Sequence, residues 1–109
     1  MIKDYSDSLK DIFRSMTLTQ EFIKDYSFSD FDNDEKTQYA VIRCFEVIGE
    51  AVKRLPDDFR NLHSDVPWKA MAGMRDRLIH GYDVVDNEIV WNTVTNTIPG
   101  LLEKIKKLL

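Results

Sequence analysis

The sequence predicts an all-α protein, a bundle of four to five helices in a single domain spanning residues 1–109. Its 109 residues match the common size of one domain. Only four glycines and three prolines are present, which favours long helices over many strands and turns. Hydrophobic residues, 43% of the chain, recur at steps of three and four and so form helical faces. With 31% charged residues, the composition is typical of a folded globular protein.

Two long helices are predicted first, from about Lys3 to Tyr26 and from about Asp32 to Leu55. The first has one apolar face, formed by Tyr5, Leu9, Ile12, Phe13, Met16, Ile23 and Tyr26. The second is apolar on more than one side, so we expect it to be central or to face a second subunit. Its apolar residues are Val41, Ile42, Phe45, Val47, Ile48, Ala51, Val52 and Leu55. A charged stripe of Arg43, Glu46, Glu50 and Lys53 is interpreted as a solvated face.

The C-terminal half of the sequence is predicted to form shorter helices. A short helix is expected at Asp57 to Leu62, and another begins at Pro67 in "PWKAMAGMRDRLIH" and ends at Gly81. Its inward residues are Trp68, Met71, Met74 and Leu78. A further helix is predicted from about Asn87 to Thr97, and Pro99 opens a last one, "PGLLEKIKKLL".

Charge and composition restrict the function. The net charge of −4 and the pI of about 5.1 disfavour broad electrostatic attraction to nucleic acid, so contact with RNA would need a local basic patch. Cys44 lies in an apolar helical run and is interpreted as a core thiol. Since we find neither a membrane span nor a signal peptide, we expect a cytoplasmic protein.

The stretch "RDRLIHGYD" places Arg75, His80 and Tyr82 within eight residues. On an ideal helix Tyr82 lies near the face of Arg75, whereas His80 lies roughly 140° around. A break at Gly81, or copies from a second subunit, would be needed to bring all three together. Such a set suits a phosphodiester, because an imidazole can transfer the proton of a ribose 2′-hydroxyl and a guanidinium can brace the phosphate oxygens.

Structural interpretations of the same residues remain open. His80 could cap the helix C-terminus, Arg75 could pair with Glu46 or Glu50, and Tyr82 could be a core aromatic. Judged from spacing alone, these interpretations are favoured, because an Arg-x4-His pattern often occurs by chance.

No metal site and no cofactor are expected. Asp76 and His80 are spaced to share one face of a helix, but the sequence offers no third ligand nearby. His63 is expected at the surface.

Taken together, these residues resemble a known family. "RDRLIHGY" resembles the Arg-x4-His-x-Tyr signature of HepT-like toxins in the HEPN superfamily. "AVIRCFEVIGEAVKRLP" is similar to the second helix of that family, and "VPWKAMAGMRDRLIHGYDVVDNEIVW" resembles the segment that follows it. The resemblance covers nearly the whole chain, and its combined motifs are far more specific than the signature alone.

The resemblance implies a helical HEPN domain that forms a homodimer with the signatures facing each other. It implies a metal-independent endoribonuclease, the toxin of a two-gene, type VII-like toxin–antitoxin pair whose partner is a minimal nucleotidyltransferase. Arg75 and His80 then correspond to the catalytic pair, and Tyr82 to the tyrosine that receives AMP. The family often has Asn where this chain has Asp76, a carboxylate that could hold Arg75 or favour protonated His80 and would somewhat repel RNA.

Three classes of function follow. In a ribonuclease toxin, Arg75 stabilises the oxyanion and His80 transfers protons, with Asp76, Arg77 and Glu50 in support. In a non-catalytic binding module, the chain serves a nucleotidyltransferase as partner or substrate. In a plain helical dimerisation domain, the signature is structural. The acidic composition favours the latter two, whereas the resemblance favours the toxin, which is our prediction.

Overall fold

A computed structural model describes residues 5–80 and 84–109, although for His80 and Val84 it describes the backbone without the side chain. The helices are α1 (Ser6–Phe22), α2 (Phe28–Asp32), α3 (Glu35–Lys53), α4 (Asp57–Leu62), α5 (Trp68–Ala72), α6 (Met74–Leu78), α7 (Asn87–Asn92) and α8 (Ile98–Lys106). A π-helical segment, Thr93–Thr97, joins α7 to α8, and two short strands, β1 (Ile79–His80) and β2 (Val84–Val85), precede α7. The predicted all-α fold is confirmed.

Helix α1 packs along α3 through one apolar face, as its spacing predicts. Leu9, Ile12 and Met16 are buried there. The helix stops at Phe22, short of the predicted end, and Asp25 then adopts a positive φ of 63°. Such a left-handed residue is a common way for a chain to leave a helix.

Helix α3 is the central element of the fold and contacts α1, α2, α5 and α6. Asp34 caps its N-terminus, since its carboxylate accepts the backbone N–H of Thr37 at 3.1 Å and the hydroxyl of Tyr26 at 2.6 Å. The central position predicted from its several apolar sides is confirmed by its buried residues, which are Val41, Ile42, Cys44, Phe45, Ile48, Gly49, Ala51 and Val52.

Cys44 is a buried thiol in this core, in agreement with the sequence prediction. Burial raises its pKa to about 11, so the thiolate is rare at neutral pH. A role for Cys44 as a nucleophile is therefore disfavoured.

Gly49 allows α5 to approach α3 closely. A Cβ atom at Gly49 would lie 3.1 Å from the backbone oxygen of Ala72, at the end of α5. Glycine thus sets the distance between the central helix and the segment that carries the Arg75 signature.

The sequence predicts two separate C-terminal helices, but the structure has one continuous helical stretch there. Residues 87–106 are helical throughout, because the π-helical segment leads directly into α8 and Pro99 occupies the first turn of α8. Gln20 of α1 donates a hydrogen bond from Nε2 to the carbonyl of Val94 at 2.6 Å, which gives a carbonyl of the irregular segment a partner. In the described part of the chain, none of the helices combines the length and hydrophobicity that a membrane crossing requires.

Candidate active site

The chain leaves the helix before the position that the sequence predicted. Helix α6 ends at Leu78, and Ile79 is extended, with φ −122° and ψ 122°. β1 pairs antiparallel with β2, so that Ile79 faces Val85. The Leu78 carbonyl accepts the N–H of Asp86 at 3.1 Å. β-Branched residues favour this pairing, and the prediction that the helix runs to Gly81 is wrong.

This early end changes the geometry of the signature. The backbone of His80 belongs to β1, so the helical angle between Arg75 and His80 does not apply. Asp76 and His80 likewise do not share a helical face. Gly81, Tyr82 and the side chain of His80 lie outside the described residues.

Arg75 projects from α6 with 41% of its side chain exposed. Its Nη1 lies 3.3 Å from Oδ1 of Asp76, whose side chain is 80% exposed. Glu46 and Glu50 pair elsewhere, Glu46 with Arg43 at 4.0 Å and Glu50 with Lys53 at 3.8 Å. An exposed pair of this kind contributes only roughly 0–1 kcal/mol, so an incoming anion can displace Asp76 from the guanidinium.

Arg77 has a different environment from Arg75. Its Nη2 donates to the carbonyl of Ala70 at 2.9 Å and thereby spans the break between α5 and α6 at Gly73. This contact ties Arg77 to the local architecture rather than to the face that carries Arg75.

Two open grooves meet at Arg75. The first, called here the Tyr39 groove, has a volume of about 680 Å³ and runs between α3, α6 and the start of α7. The second, called the Gly49 groove, measures about 400 Å³ and lies between α3 and the α5–α6 segment. Arg43, Glu46 and Arg75 line both grooves.

The Gly49 groove carries balanced charge among its described lining residues. Its three cations are Arg43, Lys53 and Arg75, and its three carboxylates are Glu46, Glu50 and Asp76. Each cation has a neighbouring acid within 4.0 Å. A single copy therefore presents exchangeable ion pairs to an anion, without a strongly positive surface.

Sequence reasoning did not single out Arg43 and Tyr39, which line the same groove as Arg75. The charged stripe that includes Arg43 was interpreted as a solvated face, yet it borders the groove that Arg75 enters. The sequence did contain a signal for this surface. An aromatic residue and charged residues recur at helical spacing on the helix that packs against the signature segment.

His63 is half-buried instead of lying freely at the surface. Its ring centroid is 4.8 Å from that of Phe59, and its backbone carbonyl accepts the indole N–H of Trp68 at 3.0 Å. Within residues 5–80 and 84–109, no three His, Cys, Asp or Glu side chains come together as a possible metal site.

The structure is an all-α bundle in which the signature segment packs against the central helix. The chain belongs to the HepT-like family, since the family model described as "Ribonuclease HepT-like" matches residues 5–108.

Archaeal and bacterial relatives extend over almost the same length. The chain is 48% identical over 108 residues to "Probable ribonuclease HepT" of Thermococcus cleftensis, covering 99% of this chain and 98% of that protein. It is 47% identical to a Methanocaldococcus jannaschii protein, covering 98% of this chain and 88% of the relative. It is 46% identical to a Caldanaerobacter subterraneus protein, covering 93% and 90%. Both of these are named "Putative RNase". The comparison with solved structures found no match.

Proposed function

We propose that this chain is a metal-independent endoribonuclease and the toxin of a type VII-like toxin–antitoxin pair. Residues 1–109 form one HEPN domain, which acts in the cytoplasm as a homodimer. Membership of the HepT-like family supports the ribonuclease activity. The observation that carries the site assignment is the position of Arg75, which is partly exposed at the meeting of two grooves and five residues before His80.

In the proposed reaction, Arg75 binds the scissile phosphate in exchange for Asp76. The ribose 2′-oxygen attacks the adjacent phosphorus and gives its proton to an imidazole, while the bond from phosphorus to the 5′-oxygen breaks. The leaving 5′-oxygen receives a proton, so the reaction needs a base and an acid. Each chain supplies one signature histidine, His80, and a two-fold dimer supplies the second. The Arg75 guanidinium stabilises the negative charge that builds on the non-bridging oxygens.

Two substitutions test this assignment. Arg75→Ala and His80→Ala are each expected to lower RNA cleavage by at least about a hundredfold, because each removes a group that acts in the transition state. Cleavage of a labelled RNA by purified protein in EDTA measures the rate, and circular dichroism measures the folded fraction. Light scattering tests whether the active species is a dimer.

Arg14→Ala is the matched control, because Arg14 is an exposed arginine of α1 outside both grooves. We expect this variant to cleave RNA at the wild-type rate. Undiminished cleavage by Arg75→Ala, or activity that EDTA abolishes and a divalent cation restores, would contradict the proposed site.

A non-catalytic module that binds a nucleotidyltransferase is the second candidate. The balanced charge of the Gly49 groove favours it, because this surface attracts RNA only weakly at long range. This alternative predicts that the folded wild-type protein binds the transferase but cleaves no RNA at any protein concentration tested.

We further propose that the partner, a minimal nucleotidyltransferase, silences the toxin by transferring AMP to Tyr82. The added phosphate and nucleoside would compete with RNA for Arg75. Tyr82→Phe removes the acceptor oxygen, so we expect it to keep most of its cleavage activity and to escape silencing. Mass spectrometry after incubation with the partner and ATP is expected to map AMP to the wild-type peptide containing Tyr82. Normal silencing of Tyr82→Phe would point to neutralisation by binding alone.

A further inference from the structure

We propose that the Tyr39 groove is a nucleobase subsite that prefers a base with an amino group, guanine above all. The subsite deepens the proposed ribonuclease function, since it would select the nucleotide next to the phosphate held by Arg75. It rests on four features of the groove: an exposed aromatic ring, an apolar wall, a cationic end and a set of hydrogen-bond acceptors.

The aromatic ring is that of Tyr39, which is 69% exposed and lies in the second turn of the central helix. Ile42 and Ile79, both mostly buried, form an apolar wall in the same groove, and Val85 borders it from β2. Exposed aromatic rings are the usual stacking platforms for unpaired bases. The groove volume of about 680 Å³ lies in the ordinary range for a small-molecule site.

The cationic end of the groove lies one helical turn from the ring. Arg43 follows Tyr39 by four residues, a rise of about 6 Å along α3, and it lines the groove together with Arg75. This separation is comparable to the distance between a nucleotide's phosphate and its own base. A phosphate at this cationic end would therefore bring a base within reach of Tyr39.

Hydrogen-bond acceptors occupy the opposite end. Gln38 uses its amide nitrogen to donate to the carbonyls of Phe31 and Asp32, at 2.9 and 3.1 Å, which leaves its oxygen as the group that can accept. Glu35 adds a carboxylate, and an ionised carboxylate can accept hydrogen bonds but cannot donate them. Hydrogen-bond acceptors at this end of the groove favour guanine, because the N1–H and the N2 amino group of guanine can donate side by side to one carboxylate. Adenine and cytosine offer an amino group, whereas uracil offers only N3–H.

Binding of non-cleavable RNA tests the subsite separately from catalysis. The probes are 2′-O-methyl hexanucleotides, one all uridine and one with a single guanosine, and fluorescence anisotropy measures their dissociation constants. We expect the guanosine probe to bind wild-type protein about tenfold more tightly. Tyr39→Leu should lower the affinity for the guanosine probe about tenfold, while Tyr39→Phe, which keeps the ring, should retain it.

The acceptor group is tested by Glu35→Gln, with Glu103→Gln on α8 as the matched control. Glu35→Gln is expected to bring the two probes to nearly equal affinity, and the control should keep the wild-type ratio. A purely structural or dimer-forming role for these residues would lower both affinities together without changing their ratio. Equal affinities in wild type, or an unchanged ratio in Glu35→Gln, would overturn the guanine preference.

The binding experiments test the subsite independently of the nuclease assay. A protein that shows the guanosine preference but cleaves no RNA would refute the proposed activity and leave the subsite standing. A protein that cleaves RNA without this preference would refute the subsite alone.

Discussion

Two regions of this molecule are built in different ways. The frame, defined as α1, α3 and α8, consists of helices of 17, 19 and 9 residues that bury their apolar faces. The signature corner, defined as α5, α6, β1 and β2, consists of two five-residue helices and two two-residue strands. The frame can supply most of the stability, while the corner positions the groups proposed to bind RNA.

The charged site residues of the corner are exposed, whereas the apolar core residues of the frame are buried. Ile12, Phe45 and Ile105 of the frame are 0% exposed, and burying such side chains stabilises a protein by about 1.5–3 kcal/mol each. Arg75 and Asp76 of the corner form an exposed pair that adds little stability. Substitutions of these two exposed residues can therefore change function without unfolding the frame, in contrast to substitutions where the two regions touch.

Gly49 is such a point of contact, and Gly49→Val is expected to give the largest effect on stability. Its Cβ would lie 3.1 Å from the Ala72 oxygen, so the branched side chain must push α5 away from α3. We expect a loss of about 1–3 kcal/mol in the free energy of unfolding, measured with urea, together with reduced RNA cleavage.

Gly100→Ala is the matched control for that variant. A Cβ at Gly100 of α8 meets nothing within 4 Å, so alanine should stabilise the protein by up to about 1 kcal/mol. Equal stability of Gly49→Val and wild type would show that the frame and the corner are not coupled through this contact.

Asp76→Asn should act on the corner alone and give an intermediate effect. Removing the carboxylate 3.3 Å from Nη1 of Arg75 frees the guanidinium and removes repulsion of RNA. We expect RNA affinity to rise by up to about fivefold with the unfolding free energy unchanged. Asp58→Asn, on α4 outside both grooves, is the control. Unchanged or weaker RNA binding by Asp76→Asn would mean that Asp76 does not compete for Arg75.

Tyr26→Phe should give the smallest effect, confined to stability and dependent on pH. The hydrogen bond from the Tyr26 hydroxyl, followed by those from Thr37, lowers the pKa of Asp34 below 3.8. A lowered folded-state pKa contributes stability above the unfolded pKa and loses it as the pH falls through the folded value. Tyr26→Phe should therefore be less stable than wild type at neutral pH, and the difference should shrink in acid.

Urea midpoints at about pH 7 and pH 2.5 measure that difference. Tyr39→Phe is the control, because it removes a hydroxyl from a largely exposed ring, and its difference from wild type should not depend on pH. A Tyr26→Phe effect of equal size at both pH values would exclude the link to Asp34.

Several helices and their buried faces were predictable, because helical spacing reflects which side chains are buried. The short helix at Asp57 to Leu62 was placed correctly, and Trp68, Met71, Met74 and Leu78 are buried as predicted. The end of α6 was not predictable from glycine alone. The antiparallel pairing of Ile79, the first residue after α6, with Val85 of β2 decides where that helix stops.

The all-α class, the central position of α3 and the family follow from the sequence alone, because each depends on residue patterns within individual segments. The tertiary structure, by contrast, places Arg75 with Arg43 and Glu46 between two grooves. Which charges meet depends on how closely α5 and α6 pack on α3, and a contact between segments leaves no periodic signal in either one.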